Sequence, residues 1–129
     1  MKKILVVDDS SVQRKKIIQI IRKAGFQNET MEAGDGLEAI GALGDNFQDI
    51  AAVLCDWNMP NMNVLEFVEG VAQVPAVASI PVVMVTTEGT ADKIAQAKAA
   101  NPNLQGYVVK PFTPEQLREA IEPILQRAG

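Results

Sequence analysis

The chain has no histidine. That removes imidazole from every role it could fill: the base of a Ser-His-Asp triad, a general acid or base near neutral pH, a metal ligand. It has one cysteine, Cys55, so no disulfide can form within it, which suits a reducing compartment. Basic charge is also short. Twelve Lys and Arg stand against 16 Asp and Glu, a net charge of −4. A nucleic-acid backbone calls for a basic face, so nucleic acid is a poor candidate partner. Long apolar runs are missing too. Ile4–Val7, after Lys2 and Lys3, begins like a secretion signal. It is shorter than the roughly 7–15 apolar residues such a signal needs, and Asp8 and Asp9 end it. Nothing approaches the ~20 apolar residues of a membrane span. These absences predict a soluble, cytoplasmic protein. A length of 129 residues predicts one domain. A chain of this size buries roughly two-thirds of its unfolded surface, enough for a core without staples.

Short strands are what the sequence does contain. Four apolar runs, ILVV (4–7), IAAVLC (50–55), PVVMVT (81–86) and GYVVK (106–110), show no alternation with polar residues. Parallel strands covered on both faces read this way. ETMEA (29–33) is a weaker fifth strand. Helical spacing lies between the runs. Ser10-Ser11 can cap a first helix with the apolar face Val12, Ile17, Ile20, Ile21 and Ala24, ended at Gly25. Leu37, Ala39, Ile40 and Leu43 fit a second helix. Val64, Leu65, Phe67, Val68 and Val71 fit a third, and the alanine-rich stretch 90–100 a fourth. Thr113-Pro114-Glu115-Gln116 opens a fifth, with a Thr cap, Pro at the first position and Gln closing a capping box. Pro123 should kink or interrupt its last turns. Five βα units predict an α/β, doubly wound, five-stranded parallel sheet in the order 2-1-3-4-5, the flavodoxin-like arrangement. No linker or repeat divides the chain, so the expectation is a single domain over 1–129 with no output domain.

The polar residues now fall into a pattern. In an open α/β sheet, ligands bind beyond the carboxyl ends of the strands, at the point where the strand order reverses. Here that point lies between the first and third strands. The first strand runs out at Asp8-Asp9, the third at Asp56, the fourth at Thr86-Thr87 and the fifth at Lys110-Pro111. Carboxylates crowded there repel one another, by about 4 kcal/mol per pair at ~4 Å and an effective dielectric near ~20. Lys110 can neutralise one charge. The others call for a hard divalent cation, and an all-oxygen site with open positions suits Mg²⁺. A carboxylate, a metal and a lysine are also the parts needed to handle a phosphoryl group, with Asp56 as nucleophile.

Each residue has an ordinary reading as well. Asp8, Asp9 and Ser10 favour a helix N-terminus. Asp56 can be a loop acid, Lys110 a snorkelling edge lysine and Thr86 a β-branched strand residue. Their common position on one rim favours the chemical reading. Cys55 reads as core, Arg14-Lys15-Lys16 as a solvated helix face, and Trp57 as a partly exposed aromatic beside the site.

The segments VVDDS, DWNMPNM, VTTE and GYVVKPFT, together with AGDGLEAI (33–40), resemble the receiver domain of bacterial two-component response regulators. The resemblance covers essentially the whole chain and is strongest to the stand-alone chemotaxis members of that family. It implies a signalling switch, not an enzyme with a separate substrate, that catalyses its own phosphotransfer and slow autodephosphorylation. By that resemblance Asp56 is the phosphoacceptor, served by the phosphohistidine of a sensor histidine kinase. Mg²⁺ is held by Asp9, Asp56 and the backbone carbonyl of Asn58, and Asp8 supports it through water. Thr86 and Lys110 contact the phosphoryl oxygens. Tyr107 is the switch aromatic, turning inward as Thr86 is drawn to the phosphoryl group. Asn58 and Glu88 tune the lifetime of that group. The partners implied are the kinase and either a flagellar motor switch protein or a phosphatase, engaged by a monomer.

Three features depart from the family pattern. Val64 stands where receivers usually have Gly, so the loop there is less free to adopt positive φ. Thr87 replaces a usual Ala or Gly and should narrow access to the phosphoryl group, which adds it to the residues that set phosphoryl lifetime. The stretch AANPNLQGY is about two residues longer than expected. It adjoins the output face, and Pro123 lies in the helix beside it.

Other functions remain open to the residues. A phosphorelay receiver, or one serving a system other than the motor, keeps the chemistry and changes the partner. A flavodoxin-like cofactor-binding module needs a Gly- or Ser/Thr-rich phosphate cradle after the first strand, where this chain has two aspartates. A phosphatase of the haloacid dehalogenase type needs D-x-D-x-T or D-x-D-x-V there, and Ser10 stands two places after Asp8.

Overall fold

The computed structural model describes residues 2–56, 80–86, 95, 99, 104–109 and 112–128. Strands β1 (Lys3–Val7), β2 (Thr30–Ala33), β3 (Ile50–Asp56), β4 (Val82–Thr86) and β5 (Leu104–Val109) form one sheet in the order β2-β1-β3-β4-β5. Every pairing in it is parallel. Successive side chains along a strand serve opposite faces. Leu5, Val7, Val53, Cys55, Val82 and Met84 pack with Ala39 and Leu43 of helix α2 (Gly36–Asn46). Ile4, Val6, Ala52, Leu54, Val83 and Val85 pack with Ile17 and Ile21 of α1 (Ser11–Lys23) and with Leu117, Ile121 and Ile124 of α3 (Pro114–Ala128). Both faces are therefore apolar, which is why the strands show no polar alternation.

The ladder contains two irregularities. Between β4 and β5 the register steps from Val82↔Leu104 to Val83↔Gly106, so Gln105 is an extra residue in β5. The strand begins two residues before the expected start, and part of the long stretch 99–107 is strand rather than loop. A second step, from Lys3↔Ile50 to Ile4↔Ala52, makes Ala51 the extra residue in β3.

Helix α1 starts on Ser10, whose hydroxyl accepts the Gln13 N–H at 3.3 Å. It stops in a Schellman turn. The Phe26 N–H donates to the Ile21 carbonyl at 3.3 Å and the Gly25 N–H to the Arg22 carbonyl at 3.0 Å. Gly25 adopts φ +98°, which a side chain would strain. The apolar face differs from expectation at one end: Val12 is 61% exposed. It precedes Ile21 by nine residues, about 180° away at ~100° per residue, so it points away from the sheet.

Helix α3 starts on a reciprocal capping box. Thr113 Oγ1 accepts the Gln116 N–H at 3.2 Å and Gln116 Oε1 accepts the Thr113 N–H at 2.9 Å. The expected interruption at Pro123 does not occur, and the helix continues to Ala128. Pro123 removes the hydrogen bond to the Glu119 carbonyl. Both residues are exposed, so water can serve that carbonyl instead. Residues 95 and 99 are helical. The helix expected at 64–71 and the rest of that expected at 90–100 lie outside the described residues. No described helix is long and apolar enough to cross a membrane.

Candidate functional site

β1 has β2 on one side and β3 on the other, so the strand order reverses at β1–β3. Val7 pairs with Cys55, which brings the next residues, Asp8 and Asp56, level with each other. Asp56 pairs in turn with Val85, and Thr86 with Val109. The ends of β1, β3 and β4 thus deliver Asp8, Asp56 and Thr86 to one rim of the sheet. Tyr107 pairs with Met84, one step before the level of Asp56. Of Asp56, Thr86 and Tyr107 the backbone alone is described. Trp57, Asn58, Val64, Thr87, Glu88 and Lys110 lie outside the described residues.

Asp8 is 1% exposed, and several described bonds hold it. Its N–H donates to the Ala33 carbonyl at 3.1 Å, extending the β1–β2 ladder by one residue. Its carbonyl accepts from Arg14 Nη1 at 2.6 Å. Its Oδ1 accepts the Ser10 N–H at 2.9 Å. Asp9, beside it, is exposed. The helix-start reading of Asp8 and Ser10 is therefore correct, and it coexists with their place on the rim. It also counts against a phosphate cradle of the flavodoxin kind. Two N–H groups at the start of α1, those of Ser10 and Gln13, are already bonded to the chain's own side chains.

The donor chemistry suits a hard cation. One buried and one exposed carboxylate sit in succession, with Asp56 ending the neighbouring strand, and all offer oxygen only. Among the described side chains no three acidic or soft ligands form a metal cage. The third carboxylate of the expected set belongs to Asp56, whose side chain is not among them.

Arg14 escaped the sequence reading, which grouped it with Lys15 and Lys16 on a solvated face. Those lysines are exposed. The Arg14 side chain is only 17% exposed, and its Nε donates to Glu32 Oε1 of β2 at 3.0 Å. The signal was available in the helical phase: Arg14 precedes Ile21 by seven residues and so lies about 20° from it around the helix. Cys55, in contrast, is buried in the core as expected.

The response regulator receiver domain model matches residues 4–122. The chain belongs to the response regulator receiver family. Among its relatives, the chemotaxis protein CheY of Pseudomonas aeruginosa is 42% identical over 127 residues, 98% of each chain. The CheY homolog of Campylobacter jejuni is 42% identical over 123 residues, 95% of this chain and 92% of that one. The solved structure of CheY4 of Vibrio cholerae superposes with a TM-score of 0.84 at 34% identity, covering 97% of this receiver and 99% of the other. Receivers are signalling switches for which phosphorylation is general, and they generally bind Mg²⁺ at the phosphorylation site. CheY-like receivers interact with histidine kinases and downstream targets.

Proposed function

We propose that this receiver is a single-domain, cytoplasmic, monomeric response regulator, phosphorylated on Asp56 by a sensor histidine kinase and acting in chemotaxis. The observation that carries the reading is the β1–β3–β4 register, which brings Asp8 level with Asp56 and ends the next strand on Thr86. The named relatives are chemotaxis proteins, which supports that output.

A carboxylate oxygen of Asp56 attacks the phosphorus of a phosphohistidine. The P–N bond breaks, the imidazole of the kinase leaves, and Asp56 carries an acyl phosphate. Asp9, Asp56 and the carbonyl of Asn58 would hold Mg²⁺, which supplies positive charge beside the transferring oxygens, with Asp8 supporting it through water. Lys110 pairs with one phosphoryl oxygen and the Thr86 hydroxyl donates to another. The movement of Thr86 frees space into which Tyr107 turns, altering the surface that partners read. A complete flip from 1:99 to 99:1 needs ~5.5 kcal/mol, so phosphorylation shifts the population partially. Asn58, Glu88 and Thr87 set the rate at which the phosphoryl group is lost. The flagellar motor switch protein is the expected reader, with a phosphatase as the alternative partner.

Trp57 is the single tryptophan and adjoins Asp56 in the chain. Its fluorescence should change on adding Mg²⁺ and change again on adding beryllofluoride, a phosphoryl mimic. The Asp56→Asn variant should lack the second change. No response to either addition, in folded protein, would overturn the reading. Binding of the activated protein to a motor switch protein, compared with a histidine phosphotransferase, separates chemotaxis from a relay.

A further inference from the structure

Arg14 stands in an odd place for a cation. Its guanidinium lies against a rim built of carboxylates, yet it contacts the Asp8 backbone and not, in the bonds described, an Asp8 carboxylate oxygen. The two bonds come from different N–H groups and reach two different strands' ends. Nε meets Glu32 Oε1 at 3.0 Å, and Nη1 meets the Asp8 carbonyl at 2.6 Å. The second distance is short, as expected of a charge-assisted bond largely withdrawn from water. The oxygen it grips belongs to the peptide that joins Asp8 to Asp9.

Two further described bonds hold Asp8, one to β2 and one to the start of α1. The Ala33 carbonyl accepts the Asp8 N–H, and Asp8 Oδ1 accepts the Ser10 N–H. Arg14, braced from β2 by Glu32, holds the carbonyl of the Asp8–Asp9 peptide directly and so helps to fix its rotation. We infer that Arg14 is a positioning residue for the cation site: its clamp between Glu32 and the Asp8 carbonyl fixes the peptide on which the Asp8 and Asp9 carboxylates are mounted.

This rests on the receiver reading above, since it takes Asp9 as a ligand of Mg²⁺. It makes a prediction opposite in sign to that of simple charge. A cation near the site repels Mg²⁺, so loss of Arg14 as a mere charge tightens Mg²⁺ binding. Loss of a clamp loosens it. Groups that orient metal ligands typically account for 10–100-fold in affinity, and roughly tenfold is expected here.

The experiment is a titration of the full chain with Mg²⁺ alone, read by Trp57 fluorescence and by calorimetry, with thermal unfolding as the control for the fold. Arg14→Ala should bind Mg²⁺ roughly tenfold more weakly. Arg14→Lys should be weakened as well, because an ammonium keeps the charge and loses the fork that reaches both partners. Should Arg14→Ala fail to fold, Arg14→Lys carries the test. Unchanged or tighter Mg²⁺ binding in a folded variant overturns the inference and leaves the receiver reading standing. Absence of Mg²⁺ binding by the unaltered chain overturns both.

Discussion

Thr87 follows the last residue of β4 directly, and its side chain is larger than the Ala or Gly that receivers usually carry there. Under the proposed mechanism, extra bulk at this position would hinder both the donor and attacking water. Thr87→Ala should speed phosphorylation by a small phosphodonor and speed decay, each by roughly fivefold, about 1 kcal/mol of barrier. Stopped-flow Trp57 fluorescence measures both rates, and two unchanged rates would remove Thr87 from the site. The acidic residues of the rim were legible in the sequence because each stands where an apolar run ends. Val12 and Arg14 were not, because they were judged by residue type. Their fates follow from helical phase: Val12 lies opposite Ile21 and is 61% exposed, while Arg14 lies in line with Ile21 and reaches Glu32 and Asp8.

Local chemistry also explains how much of each helix and strand could be read in advance. The starts of α1 and α3 were legible, since a Ser or Thr whose hydroxyl accepts the N–H three residues on needs only its own neighbours to bond. The passage of α3 through Pro123 was not. The helix tolerates it because Pro123 and Glu119 share an exposed face while Leu117, Ile121 and Ile124 hold the other face against the sheet. Removing the proline should therefore help. Pro123→Ala is expected to raise the unfolding free energy by about 2 kcal/mol, below the ~3 kcal/mol interior cost of proline because the unfolded chain gains freedom. Urea denaturation followed by circular dichroism checks this, and a loss of stability would mean that Pro123 makes a contact the helix needs. The neighbouring Arg118 guanidinium does not itself titrate in the range of interest. The hydrogen bond to Glu122, and then the charge of Glu122, raise the Arg118 guanidinium above its usual value, but it is charged at any pH the fold survives. The extra residue at Gln105 was invisible for another reason: it exists only relative to the strand beside it.

On the proposed reading, carboxylates gathered on one rim would repel one another in the folded state, and a bound cation would relieve that repulsion. Mg²⁺ at roughly 100 times its Kd should stabilise the receiver by about 2.7 kcal/mol. Asp9→Asn should show the reverse balance: a higher Tm than the unaltered chain without Mg²⁺, and little further rise with it. Differential scanning calorimetry with and without Mg²⁺ measures both, and an equal Mg²⁺-dependent rise in the variant would exclude Asp9 as a ligand. Composition and local pattern were enough to place the apolar strands, their buried faces, the helix caps and the acids at strand ends, because each depends on residues a few positions apart. Adjacency is a different matter. That Asp8 comes level with Asp56, that Gln105 is surplus and that Arg14 braces Asp8 against Glu32 all depend on pairing between segments distant in the chain. Such pairing is set by the packing of two apolar cores against one sheet, and it exists only once the sheet has formed.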